Sequence, residues 1–290
     1  MFEGAFTALV TPFRDDAIDE VALRDLVEWQ IGAGVDGLAP CGSTGESATL
    51  SHQEHRRVVE IVVSAVHGRV PVVAGTGSNS TREAIELTRH AKEAGANGAL
   101  LISPYYNKPT QEGIFSHYAE IARATDFPLL AYNVPGRTAS NILPATLARL
   151  ADIEQLVGVK EACGDLAQIA TVAALCPDEF SVLSGDDALT LPILAVGGRG
   201  VISVAANVVP GELSALVRAQ RTGEGEEALR IHRRLLPLFE ALFCETNPIP
   251  VKTALVILGR IRDEIRLPLT PLTPPNRERL QGVLKELGAV

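Results

Sequence analysis

Lys160 closes the run Leu156-Val157-Gly158-Val159-Lys160, an amine at the end of a stretch that otherwise reads as a buried strand. A buried ammonium is costly unless it is paired or sheds its proton. Two uses fit such a lysine: its stem packs while its head reaches solvent or an acid, or its amine, with a pKa lowered by burial, attacks a ketone as a Schiff-base nucleophile. Tyr132 ends the neighbouring run Leu129–Tyr132. Its phenol suits either a packed ring with a wet hydroxyl or an acid/base for the proton transfers of imine chemistry. Ser43 and Thr44 lie between glycines in Gly42-Ser43-Thr44-Gly45-Glu46, a pattern shared by ordinary turns and by backbone nests that hold a carboxylate. Arg137 offers a planar fork for a carboxylate, or a surface ion pair. Gly197-Gly198-Arg199-Gly200 looks like a phosphate loop but precedes a strand, which assigns it to the face of a barrel that serves stability.

The elements that must position these residues show as eight short apolar runs: Phe6–Val10, Val35–Ala39, Val70–Ala74, Ala99–Ile102, Leu129–Tyr132, Leu156–Lys160, Ser181–Ser184 and Gly200–Val204. Helical periodicity fills the gaps, as at Glu20–Ile31, Gln53–Val66, Arg82–Ala94 and Gln111–Ala124. Such alternation implies parallel strands with right-handed crossovers, and eight units favour a closed (β/α)8 barrel over an open sheet. Ser51-x-x-Glu54 and Ser80-x-x-Glu83 read as capping boxes opening two of the helices. Four more helices are expected after the eighth strand, at Gly211–Arg218, Gly225–Phe243, Ile249–Leu258 and Pro275–Leu287. The chain therefore divides into a barrel over residues 1–224, carrying the active site, and a C-terminal helical extension over 225–290, with turn-rich joints at Asn247–Pro250 and Pro268–Pro275. In a barrel the working residues sit at the C-terminal strand ends, where Ser43, Thr44, Tyr132, Arg137 and Lys160 all fall.

Composition narrows the partners. With 290 residues, 46% apolar and a formal net charge of −9, the chain suits one large α/β core and lacks the basic clustering that nucleic acid or an anionic membrane rewards. Cys41, Cys163, Cys176 and Cys244 are widely spaced, so reduced thiols in a cytoplasm are expected rather than a disulfide frame or zinc site. No secretory signal or membrane-spanning run is read.

Taken together, Gly42-Ser43-Thr44-Gly45-Glu46-Ser47, Ser103-Pro104-Tyr105-Tyr106-Asn107-Lys108-Pro109, Tyr132-Asn133-Val134-Pro135-Gly136-Arg137-Thr138, Gly158-Val159-Lys160-Glu161-Ala162, Ser184-Gly185-Asp186-Asp187, Gly200-Val201-Ile202-Ser203-Val204 and Asn247-Pro248-Ile249-Pro250-Val251-Lys252 resemble the dihydrodipicolinate synthase family of pyruvate-dependent class I aldolases. The resemblance runs along essentially the whole chain. It implies condensation of pyruvate with L-aspartate 4-semialdehyde, without metal or organic cofactor, in lysine and diaminopimelate biosynthesis. It implies Lys160 as the Schiff-base lysine, Tyr132 as acid/base, and Ser43 with Tyr106, reaching in from a partner subunit, as a hydroxyl relay. Thr44 and Ile202 would bind pyruvate, and Arg137 the aldehyde's carboxylate. Many family members carry Thr-Thr at the place of Ser43-Thr44; serine keeps the hydroxyl and loses the methyl that restricts its rotamer.

A second set, Ser47, Ala48, His52, His55, Asn79, Glu83 and Tyr105, matches the L-lysine site of feedback-inhibited relatives, at an interface of a homotetramer built as a dimer of dimers. Read alone, His52 and His55 are surface residues at i, i+3 or half of a metal site, and Glu83 is a capping carboxylate. Two other functions stay open: a sister aldolase acting on 4-hydroxy-2-oxoglutarate or a 2-keto-3-deoxy sugar acid, and a non-catalytic ligand-binding barrel.

Overall fold

The computed structural model describes residues 2–290. Its strands are β1 (Gly4–Ala8), β2 (Phe13–Arg14), β3 (Ala17–Ile18), β4 (Gly37–Ala39), β5 (Val73–Gly75), β6 (Gly98–Ile102), β7 (Leu129–Asn133), β8 (Leu156–Glu161), β9 (Ser181–Ser184) and β10 (Gly200–Ser203). Eight of them pair in parallel in the order β4-β1-β10-β9-β8-β7-β6-β5. A parallel bridge between Leu38 and Val72 joins the two ends, helped by Gly75 N–H donating to Pro40 O at 2.8 Å. The expected barrel forms, each apolar run supplying one strand. The extra pair β2–β3 is an antiparallel hairpin whose loop residues Asp15 and Asp16 have φ of 53° and 60°.

Two apolar clusters explain why the runs are so continuous. Side chains of alternate strand positions, among them Phe6, Ala8, Leu100, Leu130, Tyr132, Leu183 and Ile202, fill the barrel interior. The intervening positions, such as Ala5, Leu101, Ala131, Val159 and Val201, pack outward into the larger layer under the helices. Both faces of each strand are buried, so both carry apolar residues. The register pairs Tyr132 with Lys160 across β7 and β8, and Lys160 with Leu183 on β9; paired residues of parallel strands face the same way, so Lys160 and Tyr132 both enter the barrel mouth.

The helices between strands begin and end near their expected limits, for example Glu20–Gly32, His52–Val66, Thr81–Glu93 and Gln111–Thr125. Ser51 forms its capping box: its Oγ accepts from Glu54 N, and Glu54 Oε2 accepts from Ser51 N at 2.8 Å. The same motif at Ser80 does not. Ser80 makes no side-chain cap bond, and the reciprocal bond is absent too: Ser80 N donates to Ser78 Oγ, while the Glu83 carboxylate is drawn to the Ser78 hydroxyl and to His52 Nε2. Beyond β10, helices Pro210–Arg221, Gly225–Ala241, Ile249–Ile257 and Pro274–Glu286 follow. Among the described residues no helix is long and apolar enough to cross a membrane.

Candidate active site

At the C-terminal end of the strands lies a cavity of about 400 Å³, lined by Ser43, Thr44, Tyr132, Arg137, Lys160, Gly185 and Ile202 together with Phe239, Phe243 and Asn247. Strand ends and loops of the barrel therefore meet here with helix Gly225–Ala241 and the turn that follows it. Lys160 is 6% exposed, its Nζ 4.4 Å from the centroid of the Tyr132 ring. The stem fits because residue 185 is glycine: a Cβ there would lie 2.9 Å from Lys160 Cε.

Burial in this apolar mouth is the main cause that lowers the Lys160 pKa from 10.5 to about 8; the positive Arg137 adds to the drop and the negative Asp187 opposes it. A drop of that size changes the neutral fraction at pH 7 from about one in three thousand to about one in ten. The amine is thus available as a nucleophile near neutrality. Tyr132 is also buried, which raises its pKa, while Arg137 and a hydrogen bond with Ser43 pull it down. A phenol hydrogen-bonded to a hydroxyl, with an amine over its ring, is a group that can give and take a proton in this mouth.

Arg137 sits on a short helical turn, Pro135–Thr138, and its Nη2 donates to Asn247 O at 3.2 Å. Thr44 Oγ1 accepts from Asn247 Nδ2 at 3.0 Å. One residue of the turn between two C-terminal helices thereby fixes two expected substrate-binding side chains, a role that spacing in the sequence gives no sign of. Asp187 is a second residue missed from sequence. It is buried beneath the mouth, where Ser203 Oγ donates to Oδ1 at 2.5 Å and Val204 N and Ala205 N donate to Oδ2 at 3.1 and 2.9 Å. Burial raises its pKa to about 6 despite those bonds.

A neighbouring cavity of about 460 Å³ shares the wall formed by Ser43, Tyr132, Arg137 and Asn247 and extends to Ser47, Ala48, His52, His55, Glu83 and Tyr105. Six of the seven expected effector residues line it. The seventh, Asn79, stands behind: its Nδ2 donates to Tyr105 O at 3.1 Å. His52 Nε2 and Glu83 Oε1 are 2.7 Å apart. His52 and His55 both line this cavity but differ in exposure, His52 being open to solvent. His55 is buried, with Nε2 2.7 Å from Gly75 O, which makes Nε2 the donor and leaves Nδ1 a buried acceptor with no partner. No cluster of three or more His, Cys, Asp or Glu residues with metal-binding geometry occurs among the described residues. Tyr106 is 89% exposed and lines neither cavity of its own chain.

The model of the dihydrodipicolinate synthetase family matches residues 1–287. Over 290 residues the chain is 56% identical to a 4-hydroxy-tetrahydrodipicolinate synthase of Syntrophus aciditrophicus, covering 100% of both proteins. It is 58% identical to one of Nitratidesulfovibrio vulgaris, covering 100% of this chain and 99% of the relative. Among solved structures it is similar to the chloride-inhibited dihydrodipicolinate synthase of Acinetobacter baumannii complexed with pyruvate, with TM-score 0.98, 43% identity and 100% of both chains covered. It is likewise similar to the enzyme of Cyanidioschyzon merolae with lysine bound, with TM-score 0.97, 42% identity, and 100% and 99% of the two chains covered.

Proposed function

The chain belongs to the dihydrodipicolinate synthetase family, and we propose that Lys160 carries its reaction as a Schiff-base nucleophile. The reaction condenses pyruvate with L-aspartate 4-semialdehyde to 4-hydroxy-tetrahydrodipicolinate, a lyase step of lysine and diaminopimelate biosynthesis. The neutral Lys160 amine attacks the pyruvate ketone carbon; loss of water from the carbinolamine gives the imine, and loss of a methyl proton gives the enamine that attacks the aldehyde. Tyr132 moves the protons in each step, with Ser43 as its hydroxyl neighbour. Tyr106 of the partner subunit completes the relay, which accounts for its exposure in the single chain. Thr44 and the apolar Ile202 hold pyruvate. Arg137 receives the carboxylate of the second substrate.

The observation that carries this reading is the joint placement of Lys160 and Tyr132 in one mouth by strand register, with a lysine pKa of about 8. Turnover of pyruvate with three aldehyde partners tests it. Consumption of aspartate semialdehyde far above that of glyoxylate or a sugar aldehyde supports the reading, and the reverse order assigns a sister aldolase.

The assembly we infer is a homotetramer, a dimer of dimers, since an exposed Tyr106 completes a relay only across an interface. We assign the second cavity to L-lysine. Glu83 suits its ammonium group, and the His55 ring and the phenol of Tyr105, both in the cavity wall, add contacts. The wall common to both cavities gives a physical route for coupling them. Four free cysteines suit a reducing cytoplasm.

A further inference from the structure

The loop carrying Ser43 and Thr44 ends on a buried charge that the chemistry above leaves unused. Glu46 is 4% exposed and adopts φ 54°, a left-handed conformation that turns its carboxylate away from the mouth and under the loop. There Oε1 lies 2.5 Å from Lys252 Nζ, and Oε2 accepts from Arg266 N at 3.2 Å. Lys252 is 3% exposed, and its ammonium sits 4.4 Å from the centroid of the Phe13 ring, to which the Arg266 guanidinium also lies at 4.2 Å. Arg266 reaches on to Thr49 O at 3.1 Å and Glu54 Oε1 at 2.6 Å.

A buried ion pair is weak evidence for stability, because desolvation offsets most of its attraction and an apolar pair of like size does as well. What it supplies is a fixed geometry. Lys252 follows Asn247 by five positions at the start of helix Ile249–Ile257, so one short segment grips the loop twice: Asn247 at Thr44 and Lys252 at Glu46.

We propose that the Glu46–Lys252 pair is a positioning device for the reaction, clamping the C-terminal helices to the Gly42–Glu46 loop and so fixing the Ser43 and Thr44 hydroxyls relative to Lys160. It rests on the assignment of Ser43 and Thr44 to the site. The pair touches no substrate, and its contribution is orientation of groups that do.

The test separates positioning from stability. Lys252→Met alone leaves a buried carboxylate unpaired and is expected to lower the melting temperature by roughly 10 °C. The double variant Glu46→Gln/Lys252→Met removes both charges and recovers most of that loss, yet keeps kcat/KM for pyruvate down on the order of tenfold or more. Glu46→Asp retains the charge while shortening the reach, and it is expected to lose activity while melting falls less than in Lys252→Met. A double variant that recovers melting and activity together overturns the proposal. So does a Glu46→Asp enzyme within twofold of the parent, whatever the stability of the double variant. Ser43→Ala and Thr44→Val run alongside: full activity in both refutes the site assignment itself, whereas loss there with active clamp variants refutes the clamp alone.

Discussion

Asp187→Asn probes how the mouth sets the Lys160 amine. The exchange preserves shape, and its hydrogen bonds can be kept: the new Oδ1 takes the two donors Val204 N and Ala205 N, while the Ser203 hydroxyl turns to accept from Nδ2. What changes is charge. In the parent, Asp187 is ionised above about pH 6 and raises the Lys160 pKa against the larger lowering by burial. Removing that anion leaves the ammonium less favoured, so the lysine pKa falls below about 8. An opposite charge at short range typically moves a pKa by about one or more. A fall to roughly 7 raises the neutral fraction at pH 7 from about one in ten to about one half, a gain of about fivefold. The assay is the pre-steady-state rate of imine formation with pyruvate, by rapid quench into borohydride, between pH 5.5 and 9. The midpoint of the rising limb is expected about one pH unit lower in Asp187→Asn, with the two enzymes converging at high pH. The protonated imine loses the same anion, so pyruvate binds more weakly. A midpoint that stays in place or moves upward refutes the electrostatic reasoning.

Arg137→Ala is expected to leave imine formation with pyruvate intact while turnover with aspartate semialdehyde falls about 10–100-fold, the usual loss for one charge-assisted contact; equal loss in both steps makes the arginine structural. L-lysine is expected to inhibit in a manner not simply competitive with pyruvate, and His55→Ala or Glu83→Ala to weaken this about tenfold or more; unchanged inhibition in both variants removes lysine from the second cavity. Dilution or interface mutation that yields a folded monomer is expected to lower activity by withdrawing Tyr106, read by sedimentation alongside the assay. His117 bears on stability: burial lowers its pKa from 6.5 to about 4, so the unfolded chain takes up a proton that the folded one refuses. That stability is complete above about pH 6.5 and lost as pH falls toward 4, by at most about 3 kcal/mol. His117→Gln is expected to flatten the acid side of the melting-temperature profile, and an unaltered profile contradicts this.

The barrel is legible in the sequence because its strands are buried on both faces, so each reads as an apolar run, and a charge such as Lys160 at the end of one stands out. The hairpin of two-residue strands is too short for periodicity to register. Its one signal is Asp15-Asp16, a pair suited to a turn in which both residues have positive φ. Ser51-x-x-Glu54 and Ser80-x-x-Glu83 are identical as motifs, and tertiary partners decided between them: Ser78 and His52 claim Glu83, whereas Glu54 serves both its cap and Arg266. The side chains at the mouth were readable one by one from their strand ends and, as a set, from the family resemblance. Asn247, Asp187 and the Glu46–Lys252 pair were not, because their partners lie far away in sequence or depend on which face of the barrel a loop turns to.

Peptide mapping after borohydride reduction in the presence of pyruvate shows which amine of the chain is the nucleophile. Lys160 and Lys252 are both buried, but Lys252 is paired with Glu46 whereas Lys160 faces the cavity over the Tyr132 ring. One pyruvate-derived group is expected per chain, at Lys160 and not at Lys252, and none in Lys160→Ala. A reducible adduct that persists in Lys160→Ala, or that maps to another lysine, rules out Lys160 as the nucleophile.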